Sequence, residues 1–318
     1  MAISRATAPL ARHAPVLGSA HRLLGRFHVT GVFWYKFAYW AFTTLPSWAD
    51  CWIVWTFAIG FFVALKGIRP ALAANLEPVL GPAGRFERLR RSFKSILSFA
   101  WCFAERYRLL GCPERFTSEI DGEEHWQKIA ASPHGAIAVT AHIGPWENAT
   151  QFGAAAMSRR IHVVREREID PRAQELVKDI LSKMRGNYVT HFSGGDPRLA
   201  LMLADALRDG DIVALQGDRP RAGGRSVTAQ IFGRPMPLPI GPAALARSTG
   251  VPIVPIFSFR EGRFRMRTVV RPPFTVAQTS DRAADIAAAV NHLASEIEWA
   301  IRQHPHQWFC FRDLWGNE

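Results

Sequence analysis

The fold of this chain is decided by Ala136-Ile-Ala-Val-Thr-Ala-His-Ile-Gly-Pro-Trp-Glu-Asn148. Its first six residues are apolar except for Thr140, which is typical of a strand buried on both faces of a sheet. Pro145 suits the first turn of a helix, because its missing N–H would be unpaired there in any case. The stretch therefore predicts a strand, a sharp turn and a helix, with His142 at the carboxyl end of the strand.

A histidine at this position is a candidate catalytic residue, because ligands bind at the carboxyl edge of open α/β sheets. Glu147 lies five residues further on, where the dipole of the predicted helix favours a negative charge. We expect this carboxylate to turn back and hold His142 as a general base. The pair His191 and Asp196 has the same spacing, and 11 His with 27 acidic residues give roughly one such match by chance. Since Asp196 precedes Pro197 and resembles a helix N-cap, we interpret the second pair as structural, or as residues that support the site without touching the substrate.

The composition limits the classes of partner. The chain has 318 residues, of which 48% are hydrophobic and 21% charged, so a large core is expected and global disorder is excluded. A net charge of +12 predicts an anionic partner: an anionic membrane surface, an acidic carrier protein or a nucleic acid. Nucleic acid is disfavoured, because the aromatic residues cluster in one apolar segment and do not alternate with basic residues.

No cofactor or metal site is predicted. The sequence has no P-loop, no Gly-x-Gly-x-x-Gly after a strand and no His-Glu-x-x-His. The four cysteines lack metal spacing, and we interpret them as reduced and mostly buried. There is also no Gly-x-Ser-x-Gly elbow, so covalent catalysis by serine is not expected.

The N-terminal region divides into a basic tail, residues 1–26, and a hydrophobic segment, residues 27–68. Each half of this segment is shorter than the ~20 apolar residues that a membrane span needs. It is rich in tryptophan and flanked by basic residues, which favours an interfacial anchor or a helical hairpin. A buried helical pair in a soluble core remains the alternative. Five of the 11 tryptophans lie here: Trp34, Trp40, Trp48, Trp52 and Trp55.

Residues 69–318 are predicted to form the α/β domain. The chain from Ile68 to Arg108 is predicted to be helical, and strand–helix units follow. The predicted strands are Ala136–Ala141, Ile161–Arg165, Tyr188–Phe192, Asp211–Gln216, Pro252–Phe259 and Phe264–Val270. The predicted helices are Pro171–Arg185, Pro197–Arg208, Pro242–Thr249 and Asp281–Gln303. This alternation predicts an α/β fold with a mainly parallel central sheet flanked by helices.

A second polar region begins at the carboxyl end of the strand 211–216, the same sheet edge as His142. It reads Asp218-Arg-Pro-Arg-Ala-Gly-Gly-Arg225. Arginines at this edge could hold phosphate groups through two-point hydrogen bonds. A solvated surface loop is the other interpretation.

Several ordered motifs resemble those of the bacterial lipid A late acyltransferases, the lauroyl- and myristoyl-transferring members of the lysophospholipid acyltransferase superfamily. The motifs are Thr140-Ala-His-x-Gly-x-Trp-Glu147, Val164-Arg165, Asp218-Arg-Pro-x-x-Gly-Gly224, Phe232-Gly-Arg-Pro-x-x-x-Pro-x-Gly-Pro242, Val251-Pro-x-Val-Pro255 and Pro305-x-Gln-Trp308. The resemblance extends from about Phe33 to Trp315.

The resemblance implies roles for particular residues. The His and acid of the first motif are catalytic in that family, which corresponds to His142 and Glu147 here. The candidate substrate-binding residues are Arg165, Asp218, Arg219, Arg234 and Gly241.

The implied activity is transfer of a fatty acyl chain from acyl carrier protein, or from coenzyme A, to a hydroxyl group of a membrane glycolipid such as a lipid A precursor. The implied location is the cytoplasmic face of a bacterial inner membrane, with residues 27–68 as the anchor. Three alternatives stay open: acylation of another membrane lipid, such as a lysophospholipid or ornithine lipid; an esterase or thioesterase that uses the same dyad; and a non-enzymatic basic protein that binds membranes.

Overall fold

The computed structural model describes residues 32–147, 159–167, 170–182, 187–194, 196, 198–221 and 223–315. The described chain begins with four helices: α1 (Val32–Thr44), α2 (Ala49–Ala64), α3 (Ile68–Leu80) and α4 (Arg85–Gly111). The helix predicted from Ile68 to Arg108 is therefore two helices. Gly81 separates them with φ +78, a conformation that ends a helix.

Helices α1 and α2 pack against α4. Tyr39 of α1 lies with its ring 6.2 Å from that of Tyr107 in α4, and Val54 of α2 joins the same buried cluster. At the start of α2, the buried carboxylate of Asp50 accepts hydrogen bonds from Arg108 of α4. The N-terminal helices are thus fixed to the body of the protein by apolar contacts and by a buried ion pair.

The outer surface of α1 and α2 carries exposed aromatic and aliphatic side chains. Trp48, directly before α2, and Trp52 expose 68% and 74% of their surface. The others are Phe33, Trp40, Trp55, Ile59 and Val63. Within the described part of the chain, no single helix is long and apolar enough to cross a membrane; α2 and α3 meet that requirement only as a pair, bent by 101°.

A seven-stranded sheet follows, in the order β1-β9-β8-β2-β5-β3-β4. Its strands are β1 (Thr117–Asp121), β2 (Ala136–Thr140), β3 (Ile161–Arg165), β4 (Tyr188–Phe192), β5 (Ile212–Gln216), β8 (Ile253–Gly262) and β9 (Arg265–Val270). Strands β8, β2, β5, β3 and β4 are mutually parallel. The tight turn after β8 reverses the chain, so β9 and its partner β1 run the other way. The predicted α/β fold with a mainly parallel sheet is confirmed.

Helices cover both faces of the sheet. They are α5 (Glu123–Ala131), α6 (Pro171–Ser182), α7 (Leu199–Arg208), α8 (Gly241–Thr249) and α9 (Arg282–Gln303). Side chains of β2 alternate between the two cores: Ile137 and Val139 join α7, α8 and α9 in the larger core, and Ala136 packs towards α5. A separate hairpin, β6 (Ser226–Ile231) and β7 (Arg234–Pro239), packs on α9.

After α9, the C-terminal segment, residues 304–315, runs back across the carboxyl edge of the sheet. Its backbone pairs with the turn after β2: Ile143 bridges Trp308, and Phe309 N–H donates to the carbonyl of His142 at 2.8 Å. On its other side, Asn75 of α3 donates from Nδ2 to the carbonyls of Cys310 and Arg312. This segment therefore connects the N-terminal helices to the turn that carries His142.

Candidate active site

His142 and Asp218 meet at the carboxyl edge of the sheet. They follow neighbouring parallel strands that pair in register, with Thr140 of β2 opposite Gln216 of β5. The backbone pairing continues for one step, because Gly217 N–H donates to the Thr140 carbonyl at 2.8 Å. Two residues beyond the paired positions, the two side chains lie side by side, and His142 Nδ1 is 2.7 Å from Asp218 Oδ1.

Asp218 is fully buried and holds His142 at two points. Its Oδ2 accepts a hydrogen bond from the backbone N–H of His142 at 3.2 Å and one from Trp308 Nε1 at 3.4 Å. Burial by itself would raise the pKa of Asp218, but the charge of protonated His142, its hydrogen bonds and the charge of Arg219 outweigh burial. The pKa therefore stays well below its ordinary value, and Asp218 is a carboxylate at neutral pH.

The Asp218 carboxylate determines which nitrogen of His142 carries the proton. A carboxylate only accepts hydrogen bonds, so Nδ1–H donates to Oδ1 and Nε2 of the neutral ring is the proton acceptor. Among the described residues, Nε2 has no hydrogen-bond partner. The ring is 18% exposed, and Trp146 contacts it edge to face with centroids 5.4 Å apart. A partly enclosed imidazole with a free Nε2 can take a proton from a bound substrate.

Gly144 makes the turn between β2 and Trp146 possible. Its φ is +54, and a Cβ there would collide with the carbonyl oxygen of Ser258 in β8. Its N–H donates to the carbonyl of Gln307 at 2.9 Å. The turn is thus held between β8 and the C-terminal segment, which fixes the direction of His142.

Glu147 occupies a different position from the one expected. Its Oε1 lies 2.8 Å from Nη1 of Arg165 at the end of β3, and its Oε2 accepts from Nη1 of Arg106 in α4. Burial would raise the pKa of Glu147, but the charges of the two arginines outweigh burial and lower it to about 2. The role of holding the His142 ring, predicted for Glu147, therefore belongs in this structure to Asp218. Glu147 is instead directed towards β3 and α4, where guanidinium groups contact each of its two oxygens.

Two contributors to the site were not singled out from the sequence as parts of it. Arg106 lies on α4, 41 residues before Glu147, in a helix with many arginines, and nothing in its local sequence separates it from its neighbours. Trp308 belongs to a C-terminal motif that the resemblance identified, but its hydrogen bond to Asp218 depends on the path of the C-terminal segment.

The remaining candidate residues are spread along the same region. Arg219 follows Asp218 directly, and its positive charge acts to lower the pKa of both Asp218 and Cys310. Arg234 is exposed on the hairpin, with its guanidinium 5.9 Å from the Trp315 ring centroid. Gly241 is the first residue of α8. The structure gives neither Arg234 nor Gly241 a contact with His142, so their predicted part in substrate binding stays a prediction.

The second His-x4-acid pair is separated by the fold. His191 of β4 lies with Nε2 2.9 Å from Nδ1 of His162 in β3, and His162 Nε2 lies 3.2 Å from the Asp211 carboxylate. Asp196 instead accepts from the backbone N–H of Arg198 at 2.8 Å, next to the start of α7. His191 thus contacts the neighbouring strand and Asp196 contacts the turn before α7, and the interpretation of this pair stays a prediction.

The fold and the pair define the class of protein: an α/β protein with a buried carboxylate–histidine pair at the carboxyl edge of a parallel sheet, an arrangement suited to a general base. A sequence model of the bacterial lipid A biosynthesis acyltransferase family matches residues 21–317. The chain belongs to this family and is an acyltransferase.

Two relatives carry the same name, phosphatidylinositol mannoside acyltransferase. The protein from Mycobacterium tuberculosis is 28% identical over 272 residues, which cover 80% of this chain and 79% of the relative. The protein from Mycolicibacterium smegmatis is 26% identical over 263 residues, covering 80% of this chain and 82% of the relative.

Proposed function

We propose that the protein transfers a fatty acyl chain from a thioester, carried by acyl carrier protein, to a hydroxyl group of a membrane glycolipid. His142 is the general base, and Asp218 orients it. The observation that carries the proposal is the 2.7 Å contact between His142 Nδ1 and the fully buried Asp218. Family membership supports acyl transfer.

The chemistry needs one base and no covalent intermediate on the protein. Nε2 of His142 removes the proton from the acceptor hydroxyl as its oxygen attacks the thioester carbonyl. Asp218 stabilises the imidazolium that forms. When the tetrahedral intermediate collapses, the carbon–sulfur bond breaks and the imidazolium returns the proton to the leaving thiolate. The products are the ester and the free thiol of the carrier.

Arg165 is the candidate for stabilising the oxyanion. It ends β3, which neighbours β5 on the side away from β2, so it lies at the same sheet edge as Asp218. Nη1 is used by Glu147. In the described part of the chain, Nη2 and Nε have no hydrogen-bond partner, and these N–H groups are available to a developing negative charge.

The exposed side chains of α1 and α2 support association with a membrane surface. Trp48 and Trp52 are mostly exposed, and tryptophan is favoured at the boundary between headgroups and acyl chains. Lys36, Lys66 and the net charge of +12 suit an anionic surface. We infer that these helices lie on the cytoplasmic face of the bacterial inner membrane, where the acceptor is embedded.

The acceptor is proposed as a glycolipid because the description of the family and the names of two relatives both refer to glycolipids. The family is described by lipid A biosynthesis, and the two relatives by phosphatidylinositol mannosides. Both acceptors offer sugar-linked groups to an acyl donor and carry phosphate. The basic residues Arg219 and Arg234 are candidates for contacting that phosphate.

The test is acyl transfer by purified protein and by His142→Ala, with acyl carrier protein or coenzyme A as the donor. Each donor is supplied with a lipid A precursor, with a phosphatidylinositol mannoside, or with no acceptor. Wild-type protein should form acylated glycolipid, and His142→Ala should lower turnover by ~10²–10⁴. His134→Ala is the matched control, because His134 is exposed and lies before β2, at the end of the strand opposite His142. Turnover by His142→Ala within a few-fold of wild type would refute the proposal, and free fatty acid formed equally without acceptor would identify a thioesterase.

A further inference from the structure

We propose that Arg106 is a positioning residue of the active site, which holds Glu147 and through it sets the orientation of Arg165. The inference rests on the proposed acyl transfer and adds a residue from a helix outside the sheet. Arg106 lies on α4, a helix that also packs against α1 and α2. In the sequence, Arg106 is one of several arginines in this helix, and no local pattern marks it as a site residue.

Arg106 is held in place from three directions. Nη1 donates to Glu147 Oε2, and Nη2 donates to the hydroxyl of Tyr107 at 3.2 Å. Its guanidinium also lies against aromatic rings, 4.9 Å from the Tyr107 centroid and 5.5 Å from that of Phe103. Tyr107 is itself fully buried. The guanidinium is therefore fixed by α4 before any substrate binds.

Glu147 is a bridge between two arginines. Oε2 accepts a hydrogen bond from Arg106, and Oε1 lies 2.8 Å from Nη1 of Arg165. Each guanidinium therefore makes a single contact with the carboxylate. Without Arg106, Arg165 remains the guanidinium partner of the carboxylate within the described part of the chain. A carboxylate with one guanidinium neighbour favours a two-point pair. Such a pair would turn Arg165 and occupy N–H groups that the oxyanion needs.

The charges lead to the same expectation. Two guanidinium groups and one carboxylate give the cluster a net charge of +1, and all three side chains are at most 20% exposed. Replacing Arg106 by a neutral residue makes the net charge zero. The negative charge that develops on the thioester oxygen would then lose part of its stabilisation, whereas binding of the uncharged thioester would change little. The expected effect is therefore on kcat and not on KM.

The experiment is a double-mutant cycle of Arg106→Gln and Glu147→Gln, with kcat and KM measured for donor and acceptor. Arg106→Gln should lower kcat by ~10–10²-fold and change both KM values by less than about 3-fold. The double variant should have kcat close to that of Glu147→Gln alone, because the two residues act as one unit. Arg106→Lys keeps the charge and one donor, so its kcat should lie between those of wild type and Arg106→Gln.

A matched control cycle uses Arg208→Gln and Asp205→Asn, an exposed ion pair on α7. These substitutions should each leave kcat within about 2-fold of wild type. Two results would overturn the role of Arg106: kcat of Arg106→Gln within about 2-fold of wild type, or effects of the Arg106 and Glu147 substitutions that simply multiply. If Arg106→Gln does not fold, the same criteria apply to Arg106→Lys in combination with Glu147→Gln. His142→Ala is measured alongside, because turnover that survives it rejects the proposed acyl transfer itself.

Discussion

The substitution Asp218→Asn tests the assignment of the His142 partner most directly. The side chain keeps its shape, but one carboxylate oxygen becomes an NH₂ group. Oδ2 already accepts two N–H donors, from the His142 backbone and from Trp308. The amide must therefore keep its oxygen at that position and direct its NH₂ towards Nδ1 of His142. Nδ1 then becomes the acceptor, the proton moves to Nε2, and the ring can no longer act as the base.

This change of tautomer determines how far kcat should fall. The same type of substitution in the Ser-His-Asp triad of proteases lowers kcat by ~10⁴-fold, and loss of a general base costs ~10²–10⁴-fold. We expect a fall in kcat of ~10³–10⁴-fold for Asp218→Asn, or ~4–5.5 kcal/mol in activation free energy. Glu147→Gln should cost only ~10–10²-fold, because it disturbs Arg165 and not the tautomer of His142.

The assay compares single-turnover rates of acyl transfer by wild type, Asp218→Asn and Glu147→Gln at saturating donor and acceptor. Thermal unfolding of each variant confirms that it is folded. The reasoning is refuted if Asp218→Asn stays within about 10-fold of wild type. A loss by Glu147→Gln that exceeds the loss by Asp218→Asn would restore Glu147 as the partner of His142.

The pKa of Glu147 is about 2 when folded against 4.5 for a free side chain, so its ion pairs stabilise the fold fully above pH ~5 and this stabilisation is lost as the pH falls towards 2. In urea titrations, the stability difference between wild type and Glu147→Gln should shrink by ~2 kcal/mol from pH 5 to pH 3, and a constant difference contradicts this. Gly144→Ala should lower the free energy of unfolding by ~2 kcal/mol or more, because φ is +54 and a Cβ would meet a strand carbonyl; Gly60→Ala, with no atom within 4 Å of the added Cβ, is the control that should not destabilise. Replacing Trp48 and Trp52 together by alanine should weaken binding to anionic vesicles by ~10-fold or more without lowering the melting temperature, and unchanged vesicle binding would exclude these side chains as the membrane contact.

The sequence was sufficient for most of the strand–helix units that the structure describes. Ile161–Arg165 and Tyr188–Phe192 were predicted with the bounds that the structure has, and the strand before His142 differs by one residue. Short runs rich in β-branched and aromatic residues signal such strands locally, so no distant information is needed. The edge strand β1 was missed because Thr117–Asp121 is polar and mostly exposed, which leaves no hydrophobic pattern to find.

The sequence by itself also determined that His142 stands at the end of a buried strand, since this depends only on neighbouring residues. Which carboxylate meets it was decided by the tertiary structure. Glu147 is five residues away and Asp218 is 76, yet the register of β2 beside β5 places Asp218 against the ring. Strand order and register arise from packing of the whole sheet. The contact between Arg106 and Glu147 also depends on tertiary packing. It joins residues 41 positions apart, and no local sequence pattern predicts it.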